Sequence, residues 1–147
     1  MASLRPCLFT VTVETTELTL PSRIETVAAA AAAVADFVSR SGVSDDAAFG
    51  IDMAVREAVT NAVIHGNSQD EAKVVDIILK SSPDAVEISV HDQGAGFNPS
   101  EVPDPTAAEN ILKTSGRGIF FMRSFMDEVD WYLPPEGGTT VRMVKRR

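Results

Sequence analysis

A chain of 147 residues with 44% hydrophobic content and a mean hydropathy near zero is long enough to bury a core in a single domain, residues 1–147. Its formal net charge of −8 argues against direct recognition of nucleic acid through phosphates and leaves basic or mixed protein partners open. The one cysteine, Cys7, excludes an internal disulfide and fits a reducing compartment. The opening stretch MASLRPCLFTVTVETT is too polar and alternating for a signal peptide, and no apolar run reaches membrane-spanning length, so a cytoplasmic protein without a membrane partner is expected.

Residues 8–13 alternate apolar side chains with threonine, and 17–20 form a second short run; both predict strand, as an edge pair. Ser22 followed three residues later by Glu25 has the signature of a capping box, the alanine-rich run 27–37 has high helix propensity, and Gly42 supplies a stop. Ser44, Asp45 and Asp46 then predict the N-terminal cap of a second helix that continues through residues 49–67 and ends at Gly66. In that helix Ile51, Val55, Ala58, Val59, Ala62 and Val63 recur at spacings of three and four and form one apolar stripe. Glu57, Asn61 and His65 are four apart; each step of four rotates only about 40° and rises about 6 Å, so they form a polar ladder on a neighbouring face. Such a ladder is either solvated surface or a carboxylate and carboxamide placed to hold a cation and a proton acceptor together.

Residues 73–80 and 85–91 predict two strands joined by the turn 81–84 into an antiparallel hairpin. Residues 98–115 carry three prolines and no sustained period, with a short helical turn possible at 106–112; a loop of that length is more often a functional lid than filler. A helix at 119–126, a strand at 128–133, a turn at 134–138 and a last strand at 139–144 complete the chain. The basic end, Lys145, Arg146 and Arg147, reads as a solvated terminus.

Two further stretches bear on chemistry. Asp92, Gln93, Gly94, Ala95, Gly96 and Phe97 follow a strand: the carboxylate can accept from an exocyclic amine, and the glycines let backbone approach a flat ligand, although the same residue types also make ordinary turns. Gly116, Arg117 and Gly118 open a helix, where backbone amides and a planar cation suit an anion; a flexible hinge with a surface arginine is the alternative.

The ordered set of Glu57 to Gly66, Asp92 to Phe97, Ser115 to Ile119 and Met126 to Val129 resembles the GHKL, or Bergerat-fold, ATP-binding superfamily. Within it the chain looks like the small stand-alone anti-sigma-factor serine/threonine kinases, over about residues 8–144. The resemblance implies an α+β sandwich whose mixed, mostly antiparallel sheet is covered on one face by helices. It implies ATP and Mg²⁺ as cofactors, with Asn61 holding the metal and Glu57 as general base for a substrate hydroxyl. Asp92 would read adenine beside Gly94 and Gly96, with either Thr139 or Thr140 nearby. Gly116 and Gly118 would bind phosphate, with Arg117 near the γ-phosphate. His65 follows the asparagine as in relatives, as a ligand-side or a packing histidine. The partners implied are an anti-anti-sigma factor of the STAS type, a sigma factor and a second copy in a homodimer.

Three functions compete. The first is a kinase that phosphorylates the anti-anti-sigma partner on serine or threonine and otherwise captures the sigma factor. The second is an ATP-dependent binding switch without phosphoryl transfer. The third is a histidine-kinase ATP domain, which needs a separate helical hairpin with a phosphoacceptor histidine; the two histidines here, His65 and His91, both fall in the nucleotide-binding core. The P-loop pattern is absent, which disfavours a Walker-type ATPase.

Overall fold

A computed structural model describes residues 13–94 and 122–147. The elements are β1 (Glu14–Pro21), α1 (Glu25–Ser41), α2 (Asp45–Thr60), a π-helical segment (Asn61–Gly66), β2 (Val74–Ser81), β3 (Ala85–His91), β4 (Glu128–Tyr132) and β5 (Thr140–Arg146). The five strands lie in the order β1-β2-β3-β5-β4, and every pairing among the described residues is antiparallel. The expected β2–β3 hairpin forms, with Asp76 opposite His91 and Ser81 opposite Val86.

One face of the sheet is apolar because its strands alternate with period two. Val75, Ile77 and Leu79 of β2, Val86, Ile88 and Val90 of β3, and Val141 and Met143 of β5 are buried there against the helices. The α2 stripe meets them as its spacing predicts: Ile51, Val55, Ala58, Val59, Ala62 and Val63 are all buried. Ala30, Val34, Phe37 and Val38 of α1 close the core from the other side. The opposite sheet face carries an ion-pair lattice: Arg142 meets Glu87 at 2.9 Å and Asp130 at 3.4 Å, and Arg146 meets Glu128 at 2.6 Å. No described helix is long and apolar enough to cross a membrane.

Gly42 takes a left-handed φ of 73° and ends α1 as expected. Ser44 caps α2 by accepting from the Ala47 amide at 3.1 Å, with Asp45 and Asp46 in the first turn. The run 17–20 falls in the edge strand β1, which pairs with β2 from Glu14 to Pro21, while residues 8–12 of the first run lie outside the described residues. Three other expectations need correction. The capping box does not form: α1 starts after Ile24, Ser22 is fully buried, and its Oγ has no hydrogen-bond partner among the described residues. Ser22 is instead held by its backbone, whose amide donates to Lys73 O at 3.1 Å. The long second helix ends at Gly66 as expected but is not uniformly α-helical, which shapes the site below. The basic end is not merely solvated. Lys145 Nζ donates to Phe125 O at 3.0 Å, and Arg147 donates to Ser82 O at 2.8 Å, to Ser81 Oγ at 2.8 Å and to Ser41 O at the end of α1.

Candidate functional site

The site is built where β3 leaves the sheet. Val86, Ile88 and Val90 face the helices, so Asp92, two residues on, continues toward the same face. It is 6% exposed. Its Oδ1 accepts from the Gly94 amide at 2.9 Å and from the Thr139 amide at 3.3 Å, while its own amide donates to Thr139 O at 3.0 Å. Burial pushes the Asp92 carboxyl above its ordinary range, and the two amide hydrogen bonds partly oppose that shift. A carboxylate offers about four acceptor positions. Two amides converge on Oδ1, which leaves acceptor capacity for an amine donor.

Three glycines make this arrangement possible. A Cβ on Gly66 would stand 2.3 Å from Asp92 Oδ2, one on Gly94 would stand 2.0 Å from Gly66 O, and one on Gly138 would stand 1.9 Å from Asp92 O. Gly138 also takes φ +77°, a conformation that side-chain-bearing residues rarely adopt. The role of Gly66 is therefore close approach to the carboxylate.

The approach depends on a change in helix type. α2 ends at Thr60, and Asn61–Gly66 is π-helical; the Asn67 amide donates to Ala62 O, five residues back, at 2.8 Å. Single π-turns occur often at functional sites. Glu57 and Asn61 are half-buried and one α-helical turn apart, while His65, inside the π-helical segment, is exposed.

The β3–β5 register separates the two threonines. His91 lies opposite Thr140, and His91 Nδ1 and Thr140 Oγ1 are 2.9 Å apart on the face bearing the ion pairs. Thr139 lies opposite Asp92, buried, on the helix-covered side with Val90 and Val141. The structure therefore brings Gly66, Asp92, Gly94 and Thr139 together and sets Thr140 on the opposite side. Gly96, Gly116, Arg117 and Gly118, the lid at 98–115 and the start of the helix at 119–126 lie outside the described residues.

Asn67 and Gln93 had no assigned role in the sequence reading. Asn67 is fully buried; its Nδ2 donates to Val74 O at 3.0 Å, and its Oδ1 accepts from the Gln93 amide at 2.7 Å. Gln93 Oε1 accepts from the Val74 amide at 2.8 Å. The only hint in the sequence was an asparagine directly after His65-Gly66, which also suits an ordinary turn.

Comparison with known proteins decides the family. The profile of the histidine kinase-like ATPase domain matches residues 20–145, nearly the whole chain. The chain is a histidine kinase-like ATPase domain. Its relatives include the anti-sigma F factor of Clostridium perfringens, 41% identical over 98 residues that cover 65% of this chain and 70% of that protein. The serine-protein kinase RsbW of Staphylococcus epidermidis is 34% identical over 136 residues, covering 88% of this chain and 84% of that one. Among solved structures, the RsbU and RsbW domains of a Mycobacterium tuberculosis protein share the fold with a TM-score of 0.66 at 20% identity. That match covers 90% of this ATPase domain and 32% of the longer chain.

Proposed function

We propose that this ATPase domain is an anti-sigma-factor serine/threonine protein kinase. It binds Mg-ATP, phosphorylates an anti-anti-sigma partner, and captures a sigma factor when that partner is unavailable. The observation that carries the nucleotide part is the buried Asp92 carboxylate, fixed by the Gly94 and Thr139 amides behind Gly66. The kinase part follows the family and relatives named anti-sigma F factor and serine-protein kinase.

In this reading Asp92 accepts from the exocyclic amine of adenine. Of the two threonines, Thr139 is assigned to the adenine side, because it shares the helix-covered face with Asp92 while Thr140 is paired with His91. Glu57, half-buried one turn before Asn61, takes the proton of the substrate hydroxyl. The donor chemistry fits Mg²⁺. Among the described residues no three His, Cys, Asp or Glu side chains form a metal cluster, and Mg²⁺ is ordinarily held by one or two protein oxygens together with phosphates and water. Asn61 would supply the protein oxygen, and the ion would neutralise phosphate charge. Gly96, Gly116, Gly118 and Arg117 are assigned to the nucleotide by their place in the motifs, and His65 to the rim of the site. A cytoplasmic homodimer acting on a STAS-type partner completes the reading.

Transfer of labelled γ-phosphate to the cognate anti-anti-sigma protein tests it. Wild type should phosphorylate serine or threonine; Glu57→Gln should bind Mg-ATP normally and lose transfer by about 10²–10⁴-fold, the usual worth of a general base. Full transfer by Glu57→Gln would remove the base assignment. Nucleotide-dependent complex formation with no phosphoprotein would instead establish the ATP-dependent binding switch.

A further inference from the structure

We infer that Asn67, together with Gln93, is a positioning residue for adenine recognition, acting through the Asp92–Gln93 peptide; this rests on the nucleotide reading of the Asp92 site. The β2–β3 ladder runs from Ser81–Val86 to Asp76–His91 and stops there, just before Asp92. At the next step the backbone turns toward Gly66, and side chains replace the ladder. Val74, the first residue of β2, gives its carbonyl to Asn67 Nδ2 at 3.0 Å and its amide to Gln93 Oε1 at 2.8 Å. The amide that Asn67 Oδ1 receives, at 2.7 Å, is that of Gln93 itself, in the peptide unit directly after Asp92.

That bond fixes the plane of the Asp92–Gln93 peptide and hence the backbone rotation that aims the Asp92 side chain. On its other side Asp92 is held by Thr139, through amide-to-carbonyl and amide-to-carboxylate bonds at 3.0 and 3.3 Å. The carboxylate is thus clamped between β5 and the Asn67 brace. Asn67 is itself fixed to the π-helical segment by its amide bond to Ala62 O at 2.8 Å. The brace therefore ties the segment bearing Asn61 to the strand end bearing Asp92, the two halves of the proposed site. Each polar atom of the buried Asn67 side chain has a backbone partner in this arrangement, and no shorter or apolar side chain reproduces it.

A purely structural asparagine would change melting temperature and leave nucleotide affinity alone. The test is calorimetric titration of the full chain with Mg-ATP, well below each variant's melting temperature. The variants are Asn67→Ala, Gln93→Ala, Gln93→Glu, Asp92→Ala and the Asn67→Ala/Asp92→Ala double. Asn67→Ala should weaken ATP binding about tenfold, and Gln93→Ala about threefold. Gln93→Glu keeps the acceptor for the Val74 amide and should restore near wild-type affinity. In the Asp92→Ala background, Asn67→Ala should add nothing, because its effect passes through Asp92. Unchanged ATP affinity in a less stable Asn67→Ala protein overturns the inference, as does a double variant in which the two losses multiply. If Asn67→Ala does not fold, the exposed Gln93 decides alone: equal affinities for wild type, Gln93→Ala and Gln93→Glu overturn it. Absence of ATP binding in folded wild type overturns the nucleotide reading itself, an outcome distinct from these.

Discussion

Replacing Asp92 by asparagine separates the function of the carboxylate from its effect on stability. Asparagine keeps an oxygen for the Gly94 and Thr139 amides, which now reach Oδ1 at 2.9 and 3.3 Å. It places an amide donor where the second carboxylate oxygen stood, so the adenine amine would meet a donor in place of an acceptor. Losing one hydrogen bond to a charged group is worth about 1.5–3 kcal/mol, which converts to a loss of about tenfold to 150-fold in ATP affinity. Stability should move the other way. Burial raises the Asp92 carboxyl above its ordinary value of 3.8, so between that value and the raised one the folded state holds more of this proton than the unfolded state. Unfolding free energy therefore falls as pH rises through that window, and the ionised group weighs against folding above it. Asp92→Asn lacks this term. Its melting temperature relative to wild type should rise from pH 4 to pH 7, while calorimetry at pH 7 shows the weakened ATP binding. Wild-type ATP affinity in the variant, or a destabilisation that grows toward pH 7, would refute the reasoning.

The glycine turn before β5 offers a second comparison. Gly138→Ala should destabilise by several kcal/mol in urea titration, because its Cβ would meet Asp92 O at 1.9 Å at a φ of +77°. Gly137→Ala, with φ +101° and open space around it, should lose only about 1–2 kcal/mol. Ser44→Ala should lose about 1 kcal/mol as an N-cap, whereas Ser22→Ala should be neutral or stabilising, because it removes a buried hydroxyl that has no partner among the described residues; a capping-box loss at Ser22 would contradict the described geometry. Phe37→Ala, at 1% exposure in the core, should lose about 3–5 kcal/mol by the same measurement.

What could be read from the sequence was what periodicity and local chemistry encode. The α2 stripe, the Ser44 cap, the Gly42 stop and the β2–β3 hairpin all depend on residues near one another in the chain. Asp92 stood out only in the ordered set of motifs, since a strand-end carboxylate followed by glycines also makes ordinary turns. The π-helical segment was not legible, since no residue type or spacing in Asn61–Gly66 sets it apart from the α-helical turns before it. Ser22 carried a capping signature, but burial against the end of β1 and Lys73 prevailed over it. Thr139 and Thr140 could not be separated without the β3–β5 register, which sets adjacent residues on opposite faces. Asn67 and Arg147 act on Gln93, Val74, Ser41 and Ser82, partners fixed only by tertiary packing.

The central claim is an adenine-nucleotide site centred on Asp92, and titration calorimetry of the full chain with Mg-ATP and Mg-GTP tests it most directly. The account predicts saturable binding of ATP, at least tenfold weaker binding of GTP, whose base presents a carbonyl where adenine presents its amine, and loss of that preference in Asp92→Ala. No binding of ATP by correctly folded protein, or equal affinity for the two nucleotides, would contradict it.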